Sequence, residues 1–290
     1  MPVLYSYTAM IPSIPPSTGP IGVFDSGYGG LTILDKIRGL MPEYDYIYLG
    51  DSARCPYGPR SFEVVYEFTL QAVSKLFELG CPLVILACNT ASAKALRTIQ
   101  QINLPVIDAT RRVLGVIRPT AECIGEITRS RHVGILATAG TIKSESYLLE
   151  IHKLSPDIVV TGEACPMWVS LVENNEYQSE GADYFVKQHI NRLLDKDPMI
   201  DTIILGCTHY PLLLDKIRQF TPGHIRIIAQ GEYVARSLQD YLNRHPEMDA
   251  RCEKGGKCRF LTTESENKFE ESASIFLGRQ DIKVESIALE

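Results

Sequence analysis

Two hydrophobic rhythms alternate along this chain. Short apolar runs suit strands buried on both faces: Ile21-Gly-Val-Phe24, Tyr46-Ile-Tyr-Leu49, Leu83-Val-Ile-Leu86, Val133-Gly-Ile-Leu136, Thr202-Ile-Ile-Leu205 and Ile225-Arg-Ile-Ile228. Between them, apolar positions recur at helical spacing, as in Leu31, Leu34, Ile37, Leu40 and in Ala93, Leu96, Ile99. Residues 61–79 (Val64, Val65, Phe68, Val73, Leu76, Phe77), residues 212–220 and a stretch from about Tyr233 to Tyr241 also read as helices. Leu104-Pro-Val-Ile107, ending in Asp108, reads as a further short buried strand. In the tail, Phe260-Leu-Thr-Thr263 and Ile282-Lys-Val-Glu-Ser-Ile287 read as strand pieces that return to the first sheet. Alternating short strands and helices predict an α/β fold with mostly parallel sheets and crossover helices.

The pattern restarts at His132. Val133-Gly-Ile-Leu136 matches Ile21-Gly-Val-Phe24 at an offset of 112 residues, and Gly162-Glu163 matches Gly50-Asp51 at the same offset. Cys207 matches Cys88 at an offset of 119. The order of these blocks predicts two similar α/β domains, residues 21–111 with 225–290 and residues 112–224, behind an N-terminal arm of residues 1–20. Ligands of such folds sit at the carboxyl ends of the strands. Asp25, Cys88, Thr138 and Cys207 all fall at that edge, so a cleft between the halves would gather them.

Two strand ends carry thiols, in Leu86-Ala-Cys-Asn-Thr90 and Leu205-Gly-Cys-Thr-His209. A thiol at the start of a helix meets converging N–H groups and the positive end of the helix dipole, a setting that favours thiolate. The first turn, Asp25-Ser-Gly-Tyr-Gly-Gly30, lets backbone approach an anion closely, but its glycine spacing is not the dinucleotide fingerprint. A zwitterion fits it, with an ammonium for Asp25 and a carboxylate for the N–H groups; an Asx-type helix cap fits the spacing equally.

Composition narrows the function classes. A net charge of −6 without a clustered Lys/Arg stripe argues against a nucleic-acid binder. The apolar runs are far short of a membrane span. The N-terminus lacks the charged and apolar regions of a signal peptide, so the expected compartment is the cytoplasm, with its eight cysteines reduced. Cys81, Cys123 and Cys55 read as buried small hydrophobes. Cys252 and Cys258 flank a turn, but two ligands do not make a zinc site, and no metal is expected.

Two thiols facing each other across a cleft suit two-sided proton transfer. One, as thiolate, takes a proton from one face of a carbon; the other, as thiol, delivers one to the opposite face, inverting the centre. An ordinary thiol pKa of about 8.5 keeps both states accessible, and the pair titrates as a coupled unit. The residues alone leave two other readings open, an acyl-transfer nucleophile paired with His209 and a Cys-x-His metal pair.

Four motifs together resemble the aspartate/glutamate racemase family on its glutamate side. They are Phe24-Asp-Ser-Gly-Tyr-Gly-Gly-Leu31, Asp51-Ser-Ala-Arg-Cys-Pro-Tyr-Gly58, Ala87-Cys-Asn-Thr-Ala-Ser-Ala93 and Gly206-Cys-Thr-His-Tyr-Pro-Leu-Leu213. Ala137-Thr-Ala-Gly-Thr-Ile142 and Cys165-Pro-Met-Trp-Val-Ser-Leu-Val-Glu173 support it, and the resemblance spans roughly residues 21 to 285. It implies cofactor-independent racemisation of L- to D-glutamate for peptidoglycan, with the site between two α/β domains, in a homodimer. By motif position Cys88 and Cys207 are the acid/base pair, Cys88 the base for D-glutamate and Cys207 for L-glutamate. The resemblance puts Asp25 near Cys88, and Glu173 and His209 near Cys207. It places Asp25, Ser26, Tyr57, Gly58, Asn89, Thr90, Thr208 and His209 against substrate, with Thr138 at the same edge. A carboxylate beside a thiol raises the thiol's pKa, so Asp25 is expected to handle the substrate ammonium or a proton rather than activate Cys88. An aspartate racemase of the same family and a non-catalytic glutamate-binding protein are the alternative functions.

Overall fold

The computed structural model describes residues 18–278 and 282–289. The expected arm, residues 1–20, lies outside these apart from its last three. Among the described residues, ten strands form two parallel sheets. The first has the order β10-β9-β2-β1-β3-β4, from β1 (Ile21–Asp25), β2 (Tyr46–Gly50), β3 (Leu83–Leu86), β4 (Arg112–Gly115), β9 (Cys258–Thr262) and β10 (Val284–Ser286). The second has the order β6-β5-β7-β8, from β5 (His132–Ala137), β6 (Val159–Ala164), β7 (Thr202–Gly206) and β8 (Arg226–Ala229).

Strands β1, β2, β3 and β7 are buried along their whole length, as their unbroken apolar runs require. Helices cover both faces. Leu31–Leu40 and Gly231–Arg244 pack on one side of the first sheet with Tyr46, Tyr48 and Phe260; Phe62–Glu78 packs on the other with Leu49, Val84 and Leu86. In the second sheet, Trp168, Val186 and Ile190 lie on one face and Ile124, Tyr147 and Ile151 on the other.

The repeat is visible in the strand order. Strand β1 lies between β2 and β3, and β5 lies between β6 and β7, with β4 and β8 completing each set. The crevice at each switch of strand order opens beyond the carboxyl ends of β1 and β3, and of β5 and β7. The carbonyl of Gly58 in the first half accepts from Gly140 N of the second at 3.0 Å, so the two crevices face each other.

Two expectations need correction. Leu104-Pro-Val-Ile107 is a helical turn, not a strand; Leu104 is buried, but Val106 is 85% and Ile107 46% exposed. Pro105 stands at the start of that turn, where a missing N–H costs nothing. The strand lies further on, at β4, and pairs with β3. Each expected domain boundary therefore falls one strand early: β4 belongs to the first sheet, and β8, which was expected with the first half, pairs with β7. The tail strands β9 and β10 do return to the first sheet, beside β2. Cys252 is buried beside Gly19, and Cys258 begins β9.

Candidate active site

The two thiols stand one residue or two beyond the ends of equivalent strands. Cys88 follows β3 and caps the helix Asn89–Lys94, its sulfur accepting from Ala91 N at 3.4 Å and donating to Ser26 Oγ at 3.4 Å. Cys207 follows β7, and its carbonyl accepts from Tyr210 N as the chain turns into the helix Tyr210–Leu213. Both are nearly sealed from solvent, Cys88 at 5% and Cys207 at 7% exposure.

Different partners surround each sulfur. His209 Nδ1 lies 3.9 Å from Cys207 Sγ, and His209 Nε2 lies 3.0 Å from Glu173 Oε1 at the end of the helix Trp168–Glu173. Burial would lower the His209 pKa, but its bonds to Cys207 and Glu173 outweigh burial and raise it to about 10. The pair holds an imidazolium beside Cys207 at neutral pH. Burial alone would raise Glu173, yet His209 and the Cys55 thiol bring it below the usual carboxylate range.

At Cys88 the helix-start setting, which favours thiolate, is outweighed. Burial first, then the Asp25 carboxylate, pushes its thiol up to about 12, against the help of Ser26 and Ala91 N. Desolvation of a thiolate outweighs the partial charge of a short helix's N-terminus, so this sulfur rests as a thiol. Charge on Cys207 adds to the effect, so the two sulfurs sense one another.

Asp25 ends β1 between the two thiol turns. Its Oδ1 accepts from Gly27 N at 3.0 Å, and its Oδ2 accepts from Thr208 Oγ1, of the other half, at 3.4 Å. Burial raises its pKa, opposed by His209 and by the N–H groups of Gly30 and Gly27. The glycine turn thus cups Asp25's own carboxylate as an Asx turn, but Asp25 does not cap the helix that follows, whose N-cap is Gly30 with no side-chain bond. The absence of a side chain at Gly29 serves packing: a Cβ there would stand 2.4 Å from Thr208 Oγ1 and 2.5 Å from His209 Nδ1.

The remaining predicted residues line the seam between halves. Thr90 Oγ1 lies 2.9 Å from Thr138 Oγ1, which caps the helix Ala139–Lys143. A Cβ on Gly58 would meet Thr138 Cβ at 2.9 Å. Tyr57 instead packs within the first half: its phenol donates to Asp51, and its ring packs on Phe24 and Phe68. The Asn89 side chain is bonded to Tyr147 and Gln230.

Sequence reasoning missed three residues here. Cys55, read as a small hydrophobe, donates to Glu173 Oε1 at 3.0 Å. Tyr147 was hidden in a helical apolar pattern. Gln230 follows β8, and the strand-end rule that selected Asp25 and Thr138 would have selected it once β8 was assigned to the second sheet.

A duplicated α/β plan with a thiol beyond equivalent strands, each thiol in its own electrostatic setting, defines a cleft protein built for acid–base chemistry on a small molecule. The profile of the family described as Asp/Glu/Hydantoin racemase matches residues 32–238. The glutamate racemase of Ruegeria sp. (strain TM1040) is 38% identical over 270 residues, covering 90% of this chain and 97% of that one. The glutamate racemase of Bacillus cereus (strain ATCC 10987 / NRS 248) is 39% identical, covering 93% and 97%. A glutamate racemase isoform from Bacillus anthracis superposes with a TM-score of 0.84 at 36% identity, covering 93% of this chain and 98% of that one. The Francisella tularensis glutamate racemase in complex with D-glutamate superposes with a TM-score of 0.82 at 32% identity, covering 94% and 98%. The chain belongs to the Asp/Glu/Hydantoin racemase family.

Proposed function

We propose that this protein interconverts L- and D-glutamate by two-base proton transfer between Cys88 and Cys207. The observation that carries the reading is the asymmetry of the two thiol settings. One sulfur rests as a thiol ready to donate, and the other faces an imidazolium that stabilises negative charge forming on it. Cys207, acting as thiolate, takes the α-proton of L-glutamate while Cys88 S–H delivers its own proton to the opposite face. This leaves Cys207 as thiol and Cys88 as thiolate, the state that acts on D-glutamate. Asp25, flanked by both turns, meets the substrate ammonium, which lowers the cost of the Cys88 thiolate. The N–H groups of the strand-end turns at Ser26, Asn89, Thr90 and Thr208 suit the carboxylates.

Glutamate as substrate is supported by relatives that are glutamate racemases at 38–39% identity and by the D-glutamate complex of the Francisella protein. Supply of D-glutamate to peptidoglycan, a homodimer and action in the cytoplasm belong to the same reading. Among the described residues no helix is long and apolar enough to cross a membrane. Sealed thiols and the Thr90–Thr138 contact imply that the halves part to admit substrate. Proton NMR in D₂O with each enantiomer of glutamate and of aspartate tests the assignment. Loss of the α-proton signal with glutamate and not aspartate is expected; persistence with both contradicts catalysis, and preference for aspartate contradicts the substrate.

A further inference from the structure

Three buried side chains close a ring of hydrogen bonds across the seam. Asn89 Nδ2 donates to Gln230 Oε1, Gln230 Nε2 donates to Tyr147 Oη, and Tyr147 Oη donates to Asn89 Oδ1, each at 2.7 Å. The second hydrogen of Gln230 Nε2 is shared between Thr120 Oγ1 at 3.0 Å and the Val116 carbonyl at 3.2 Å. All three ring members are at least 96% buried. Their directions interlock: a phenol that accepts from Gln230 must give its own proton to Asn89. Turning the Asn89 amide would set a carbonyl oxygen against the Gln230 oxygen. Buried polar groups so paired are costly to leave with one partner missing.

The ring's members come from places that matter to both thiols. Asn89 directly follows Cys88, in the first half. Tyr147 lies on the helix Ser146–Leu154 of the second half, and Gln230 follows β8. The Tyr147 ring also covers Gly206, the residue before Cys207; a Cβ on Gly206 would meet Tyr147 Cε2 at 3.1 Å. One cluster is therefore bonded to the residue after one thiol and seated on the residue before the other.

We infer that Asn89, Tyr147 and Gln230 are positioning residues that hold the two thiol turns in register, so that a carbanion made by one thiol is protonated by the other. The inference rests on the two-thiol reading. Inversion needs the donor sulfur in reach of the opposite face when the α-proton leaves. With the register lost, the thiol that took the proton exchanges it with solvent and returns a deuteron to the same face. Exchange with retention then gains on inversion.

The test uses Tyr147→Phe, which keeps the ring over Gly206 and removes one O–H, and Gln230→Met as a second variant. With L-glutamate in D₂O, α-deuterated L-glutamate is counted against α-deuterated D-glutamate at early times, with melting curves as a check on folding. The expected result is a kcat lower by about tenfold or more in both directions, KM within about threefold of wild type, and a severalfold rise in the retention-to-inversion ratio. A folded variant with the wild-type ratio, whatever its rate, overturns the inference. Failure of both variants to fold also overturns it, because the ring then serves the fold alone. If wild type itself neither exchanges nor inverts, the two-thiol reading is what fails, and the inference falls with it.

Discussion

His209 Nε2 lies 3.0 Å from Glu173 Oε1, so the imidazole beside Cys207 is held from behind by a carboxylate. Burial would lower this histidine, but its bonds to Cys207 and then to Glu173 outweigh burial and raise it from its ordinary 6.5 to about 10 in the folded protein. A raised folded-state pKa means a stabilisation fully present below about pH 6.5 and lost as pH rises through about 10. Histidine NMR of the wild type should accordingly show no titration of His209 between about pH 6 and 8. Glu173→Gln should bring its titration downward and slow racemisation. A wild-type His209 titrating near 6.5 would contradict the pairing.

Cys88 rests as a thiol because burial and Asp25 oppose its ionisation. Replacing it should therefore leave the thiolate ultraviolet absorbance of the empty enzyme unchanged at about pH 8. A clear drop in that absorbance in Cys88→Ser would show that Cys88 is ionised at rest.

Gly29 leaves room for the Thr208-His209 turn of the opposite half. In Gly29→Ala the new methyl group displaces Thr208 and His209, which contact Asp25 and Cys207. We expect kcat/KM to fall by about 100-fold with the melting temperature changed little, since the clash lies at the seam and not in either core. Wild-type activity in this variant would mean that the halves stand further apart in solution.

Asp25 stands between the thiol turns and raises the Cys88 thiol. Asp25→Asn should ease Cys88 ionisation yet slow turnover by about 100-fold, because the carboxylate that meets the ammonium or carries a proton is gone. Faster turnover would instead make Asp25 a mere brake on Cys88.

The strands β1, β2, β3, β5 and β7 were legible because each carries a short apolar run buried along all or nearly all of its length. Arg112–Gly115 was not, since its pattern is short and half-exposed, and the more apolar Leu104–Ile107 drew the assignment to itself. The strand-end positions of Cys88, Cys207 and Asp25 were legible from the apolar runs that precede them. Which thiol is ionised at rest was not legible, because a local argument from helix polarity cannot weigh the burial that desolvates Cys88. Cys55, Tyr147 and Gln230 escaped for the same reason: each matters through a partner distant in sequence, Glu173 for Cys55 and Asn89 for the other two.

The most direct measurement compares wild type, Cys88→Ser and Cys207→Ser with each glutamate enantiomer in D₂O, following the α-proton by NMR and optical activity by circular dichroism. Wild type should lose both signals without added cofactor, and each single variant should racemise slower by about 1000-fold or more. Either variant racemising at a substantial fraction of the wild-type rate would contradict the assignment of Cys88 and Cys207 as the two bases.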